Sequence, residues 1–293
     1  MSKPAAAGSP SRRCLQEQPE KKMSETVTAS RQPVKVGPPI RVTRIVYPIL
    51  SLIVILALWQ FVIILVKPAP YLLPAPAAVA NAMVSQFSNL MYHTGITAFE
   101  TLIAFLLSIV IALPLALMIA NFRWFEDAVY PLLVTSQAVP KVALAPLILV
   151  WLGFGLHTNI VVGVLMAFFP VVISGVVGLK SVPEDMVFLG KTMGLSSTQM
   201  FRKIYLPHAL PSLFGGLKVC VTLAVVGAVV GEFVGSDRGL GYLILLSSGQ
   251  LQTALMFAAL ILLVVIGVVS FALVQMIEAR VMPWHRSVRS AGH

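Results

Sequence analysis

Few residues in this chain are of types and spacings that do chemistry, and most of them fail the pattern that their chemistry needs. Gly190-Lys191-Thr192 reads like the tail of a phosphate-binding loop. Such a loop needs a glycine five positions before the one that precedes the lysine, so that backbone N–H groups can cradle phosphate; Asp185 stands there. No strand pattern precedes it, so we do not expect nucleotide binding. There is no His-Glu-x-x-His pair, no serine in a G-x-S-x-G turn and no carboxylate pair placed across a pocket. Cys14 lies in a polar tail and Cys220 in an apolar span, and neither a disulfide framework nor a metal site can be built from them. The expectation is a chain that is not an enzyme by itself and holds no metal or cofactor.

Lys141 is the sharpest residue that remains. It lies near the middle of an apolar stretch, where a cation costs roughly 2.5–3.5 kcal/mol on insertion scales, so it must face a cavity or a partner. It reads either as a substrate-path residue that attracts an anion or a polar ring, or as a structural lysine paired with carbonyls freed by Pro140 and Pro146. Gln137 and Glu232 are the other candidates for a substrate path. Glu100 and Glu232 sit near the outer ends of their spans, where pairing or snorkelling is the simpler reading, favoured for Glu100.

The longest well-charged interval inside the apolar text is Pro183–Pro211, PEDMVFLGKTMGLSSTQMFRKIYLPHALP. Glu184 and Asp185 come early and Lys191, Arg202 and Lys203 late, the order that a helix dipole favours, and Pro183 suits a first turn. Gly194, Ser196 and Ser197 interrupt the pattern. We expect two short helices outside the bilayer with a bend at Gly194. The second would run from Thr198 to Tyr205, with Ser197 as N-cap, and end at Leu206-Pro207.

The elements that must hold these residues are membrane spans. The chain is 58% hydrophobic and 11% charged, with a mean hydropathy of +0.90, far from soluble usage. Its net charge of +10 invites a nucleic-acid reading, but the charges occupy tails and one side of a membrane. Residues 1–40 read as a disordered tail, within which Met23-Ser24 restates the Met1-Ser2 start and could mark the true beginning; no signal peptide is expected. Ile45–Val66, Ile96–Ile119, Tyr130–Leu152, Ile160–Leu179, Leu213–Val234 and Thr253–Ile277 read as six spans. Ala77–Met91 reads as a surface helix and Ser236–Leu251 as a Gly- and Ser-rich connection. The third span carries Pro131, Pro140 and Pro146, which break the hydrogen-bond ladder, and is therefore expected inside the bundle. The membrane domain covers 41–280, with the charged loop at 180–212 and a tail at 281–293. With the N-terminus inside, eighteen Lys and Arg lie on that side against Lys67 and Arg238 outside, so the loop and both termini are expected to be cytoplasmic.

The loop also carries a resemblance. Gly194, nine residues, Ile204, one residue, then Leu206-Pro207 resembles the E-A-A-x-x-x-G-(nine)-I-x-L-P loop of binding-protein-dependent ABC importer permeases. The Glu-Ala-Ala positions depart from it, being Phe188, Leu189 and Gly190. Family-like text runs from Tyr71 to Ile277 and includes Ala138–Leu147, Trp151–Gly155, Gly227–Phe233 and Gly239–Tyr242. Within the superfamily it is most similar to the nitrate/sulfonate/taurine group, which includes permeases for pyrimidine thiamine precursors.

The resemblance implies an all-α, six-span bundle of the type I importer class in the inner membrane. It implies a second permease copy, two ATPase subunits and an external solute-binding protein as partners. The solute would be of the nitrate, sulfonate or taurine type, or else a pyrimidine thiamine precursor or related vitamin precursor. An ion-coupled secondary carrier and a non-transporting scaffold are the rival classes. Residues 184–204 would be the coupling helix that docks into the ATPase. Its contacts would come from Glu184, Asp185, Phe188, Leu189, Gly190, Lys191, Gly194, Leu195, Ser196, Ile204, Leu206 and Pro207, with Met193 and Met200 as further apolar anchors. Glu184 or Asp185 would stand in for the missing acid.

Overall fold

A computed structural model describes residues 43–283. The tail at 1–40 with Cys14 and the Met23-Ser24 restart lies outside the described residues, as do positions 284–293 of the C-terminal tail. From Tyr47 onward the chain forms one unit by its internal contacts.

Small residues decide how the spans pack. Helix α3 (Phe87–Asn121) presents Ala104, Ala112 and Ala116 to α6 (Leu156–Lys180), and α6 crosses α9 (Leu206–Gly235) through Gly163, Gly178, Gly227 and Gly231. Lipid tails are as apolar as leucine, so apolarity alone does not pair helices in a bilayer; close backbone approach does. The α3–α6–α9 core holds Ile119, Val171, Val172 and Cys220. Helix α11 (Thr253–Val281) closes it from the other side, with Leu255, Leu262 and Ile266 against α2 (Pro76–Ser85) and α10 (Leu240–Gly249). Helix α1 (Thr43–Val66) meets this body through Trp59, 5.6 Å from the Phe257 ring.

Among the described residues, five helical stretches are long and apolar enough to cross a membrane, and a bent pair makes a sixth if it counts as one span. This is the six-span, all-α bundle expected, with four differences in detail. The second span starts at Phe87, so the surface helix expected over Ala77–Met91 ends at Ser85 and its remainder joins α3. The Ser236–Leu251 connection contains α10, whose Leu240, Leu243 and Ile244 are buried. The fifth span starts at Ser197, because Leu206-Pro207 does not end the helix. Pro207 cannot donate to the turn behind it, and the wide π-turn Phe201–Tyr205 takes up the misfit between α8 (Ser197–Met200) and α9.

The fourth difference concerns the third span. It is two limbs, α4 (Arg123–Ser136) and a 3₁₀ turn Lys141–Leu144 leading into α5 (Ala145–Leu152), bent by 90°. It was expected inside the bundle. Instead only its α5 limb packs into the core, through Ala145 and Ile148, while the rest lies on the surface of the chain: no α4 side chain is fully buried, and Gln137, Ala138, Val139 and Pro140 are exposed. Local turn bonds meet part of the need that the prolines create, which removes the reason to bury the span within its own chain. Gln137 N–H donates to Val134 O (3.2 Å), Ala138 N–H to Thr135 O (3.0 Å) and Ala143 N–H to Pro140 O (2.8 Å).

Candidate functional site

The charged loop is a pre-shaped hairpin of helices. α7 (Glu184–Thr192) starts after Pro183, with both acids in its first turn and Lys191 in its last. It stops in a paired C-terminal motif: Leu195 N–H donates to Gly190 O (3.1 Å) and Gly194 N–H to Lys191 O (3.0 Å). The motif needs a left-handed residue at its corner, and Gly194 has φ +71°. The next helix is capped by Ser196, which corrects the expectation of Ser197. Gln199 N–H donates to Ser196 Oγ (3.4 Å), and Ser196 N–H donates to Gln199 Oε1 (3.0 Å). Only Ser196 has a Gln or Glu three positions on, as this reciprocal cap requires, and that signal was open to the sequence.

α7 folds back on the helix that follows it. Gly190 is buried under Met200 and Ile204: a Cβ there would lie 2.7 Å from Met200 Sδ and 2.8 Å from Ile204 Cδ1. Large apolar side chains around α7 and its C-cap have nothing over them: Phe188 is 72% exposed and Met193 70%, and Leu189 and Met186 are exposed as well. Glu184, Asp185 and Lys191 are exposed, Leu195 and Ile204 half-buried, and Met200 is buried and so faces inward rather than outward. Leu206 is exposed and Pro207 half-buried as the chain enters α9. The root of the loop is tied twice. His208 Nε2 is hydrogen-bonded to Ser181 O (3.1 Å), and Lys180 pairs with Glu126 in the first turn of α4.

At the broken span, Lys141 Nζ sits 4.1 Å from the centroid of the Phe169 ring on α6, a cation–π contact. Gln137 is exposed at the break. The α5 limb is fixed to the core by Ala145 and Ile148, which pack with Val162 and Met166. Irregular backbone at membrane depth is tolerated only where protein covers it or where it lines water.

Glu232 is placed elsewhere. It is 1% exposed, and its carboxylate accepts from Thr97 Oγ1 (2.6 Å) and from Gly241 N–H. Leu240 N–H donates to Thr97 Oγ1 (2.8 Å) and Gly239 N–H to His93 Nδ1 (2.9 Å). Side chains of α3 and α9 thus cap the N-terminus of α10. Asn159 Nδ2 donates to Glu100 Oε1 (2.9 Å), so the Glu100 carboxyl has a partner as well. Sequence reading missed His93, Thr97 and Asn159. Their partners lie far along the chain, and the usable signal was only that polar residues recur on one face of α3. Among the described residues, no group of three or more His, Cys, Asp or Glu is placed to hold a metal ion.

Comparison with known proteins fits this arrangement. Residues 108–283 match the family model described as the binding-protein-dependent transport system inner membrane component. A probable ABC transporter permease protein of Haemophilus influenzae is 39% identical over 76% of this chain and 91% of its own length. The riboflavin transport system permease protein RibX of Chloroflexus aurantiacus is 37% identical over 81% of this chain and 89% of its own. The formylaminopyrimidine transport permease protein ThiX of Halalkalibacterium halodurans is 34% identical over 82% and 96%. Permeases named for aliphatic sulfonates, taurine and nitrate match at 25–28% identity. An inward-facing structure of the MetNI methionine ABC transporter shares the fold, with a TM-score of 0.56 at 23% identity, covering 70% of this chain and 98% of that one.

Proposed function

The chain belongs to the family of binding-protein-dependent transport system inner membrane components, and from that premise we propose how its parts divide the work. It is the multi-pass permease subunit of an ABC importer and is not itself catalytic; ATP is hydrolysed by a separate subunit, and a binding protein supplies the solute. The exposed Phe188 and Leu189 on α7 and Met193 at its C-cap form the surface that enters the ATPase, with Glu184, Asp185 and Lys191 around it. The observation that carries this reading is that these side chains lie uncovered on a charged segment outside the spans, where water would otherwise wet them.

Two copies of the chain meet across the α4–α5 face, so that the exposed break at Gln137–Pro140 borders a shared, wet path. Gln137 and Lys141 line that path, and Glu232 acts one step away by holding α10 in place. The excess of Lys and Arg puts the loop and both termini in the cytoplasm. The solute is a small heterocycle of the vitamin-precursor kind: the relatives named for a formylaminopyrimidine and for riboflavin are 34–37% identical, against 25–28% for those named for sulfonates, taurine and nitrate. The anion reading stays open as the second one, because Lys141 at the break would suit an anion as well.

Cysteines placed at Phe188 and Met193 should crosslink to cysteines in the cleft of the co-purified ATPase. If no crosslink forms in any nucleotide state, the docking face is wrong. Binding of radiolabelled formylaminopyrimidine, taurine and nitrate to the cognate binding protein then separates the two solute readings.

A further inference from the structure

We propose that the Glu126–Lys180 ion pair is a strut that carries displacement of the charged loop into the α4 limb of the broken span, which swings about Gln137–Pro140. This rests on the reading of α7 as the ATPase-docking element. Lys180 is the last residue of α6 and comes just before the α7 segment; Glu126 lies in the first turn of α4. A base at a helix C-terminus and an acid at a helix N-terminus each complement the helix dipole, so both ends of the pair sit where their helices favour them.

The two limbs are held unequally. α5 is anchored by buried Ala145 and Ile148 and by Leu149, which fills the space over Gly235. α4 has no fully buried side chain and rests on the core through the half-buried Phe125, Val129, Tyr130 and Leu133. Between the limbs, the exposed stretch Gln137–Pro140 is stitched by short turn bonds, and Pro140 has no N–H to give, so the bend opens or closes at little cost in hydrogen bonds. At the root of the loop, Ser181 O is tied by His208 to the start of α9 and Lys180 by its ammonium to α4. A push on α7 enters the chain on both sides: through Met200 and Ile204 into the α8–α9 span, and through Lys180–Ser181, where the limb it meets is the loosely held one. The pair itself is part-exposed and adds little to stability, so breaking it uncouples movement without unfolding the protein.

The test uses the intact assembly of this chain with its ATPase subunits in lipid nanodiscs. Spin labels are placed through Leu132→Cys on α4 and Val150→Cys on α5, both exposed in the single chain, in one copy of a mixed assembly whose other copy is unlabelled, in a background carrying Cys14→Ser and Cys220→Ser. Adding ATP is expected to shift the label–label distance. Lys180→Glu and Glu126→Lys should each abolish that shift while ATP is still hydrolysed, and the double exchange should restore it. Glu126→Gln and Lys180→Met should behave like the single reversals. The proposal is overturned if the single variants keep the full shift, if the double exchange stays as inert as either single, or if the parent shows no shift while hydrolysing ATP. Failure of any ATPase to co-purify is a different result: it removes the docking reading itself, and the strut with it.

Discussion

Gly227 on α9 meets Gly163 on α6 backbone to backbone. A Cβ on Gly227 would lie 2.6 Å from the Gly163 Cα, and one on Gly163 would lie 2.7 Å from Ala104 Cβ on α3. Three spans therefore converge at one level where neither glycine has room for a methyl group, and the atoms in the way are backbone or the Ala104 methyl. Gly227→Ala should destabilise the protein by about 1–3 kcal/mol through overpacking. Gly267→Ala on α11, where a Cβ meets nothing within 4 Å, should be neutral or slightly stabilising. Thermal unfolding of the two variants in one detergent checks the contrast, and equal losses would contradict it.

The corner at Gly194 separates strain from docking. Its φ is +71° with open space around it, so a side chain there pays only the left-handed backbone cost, roughly 1–2 kcal/mol for most residues and less for Asn. Gly194→Asn should keep uptake. Gly194→Arg should still insert but lose ATP-coupled uptake, because the bulky cation projects beside the α7 face. Uptake at the parent rate from the arginine variant would remove the corner from the docking surface.

Phe188 is expected to be silent for the permease alone. It is 72% exposed, and substitutions at such positions fall within about ±0.5 kcal/mol. Phe188→Asp should leave the melting curve of the isolated chain unchanged yet prevent ATPase co-purification. A variant that melts early would mean that the side chain serves the fold.

Glu232 should behave as a clamp. Glu232→Ala strips the acceptor from Gly241 N–H, leaving that donor unpaired at about 1–3 kcal/mol, and takes the short bond from Thr97 Oγ1, which keeps only His93 O at 3.3 Å. Thr97→Val removes one of the same bonds, so the double variant should cost less than the sum of the singles. Strict additivity in a double-mutant cycle would show that the two do not share a network.

The deep ion pair between Lys218 on α9 and Glu278 on α11 is the counterpart to the exposed strut. Glu278 is buried and Lys218 about one-fifth exposed, so Lys218→Met leaves a shielded carboxylate alone and should destabilise by about 1–3 kcal/mol. Lys218→Met/Glu278→Leu should recover most of that loss, since both polar groups then leave together. Thermal unfolding of the single and double variants decides it.

Much of this was legible in the text of the chain. Twenty-odd apolar residues in a row can only satisfy their backbone as helix, so the spans announced themselves one by one. The acids before Met186 and the bases after Phe201 marked the loop, and Gly194 marked its corner. Legibility failed where a local rule met a distant neighbour. Leu206-Pro207 looked like a stop because proline ends a helix in isolation, but a π-turn absorbed it. Tyr130–Leu152 looked like one buried span because its length and prolines could not say where the chain would turn. Ser196 over Ser197 was a readable choice, since Gln199 answers only the former.

What the sequence determined by itself was local and additive: span content, the charged loop, the bias of Lys and Arg to one side, and the text that places the chain in its family. Tertiary structure alone decided that Gly190 lies under Met200 and Ile204, that Glu232 caps α10 through Thr97, and that Lys180 grips Glu126. Each of these joins residues separated by a turn or by several helices. Hydropathy and helix propensity are summed over neighbours in sequence, whereas burial and pairing depend on which helix faces meet, and in a bilayer that is settled by close packing of small residues across spans.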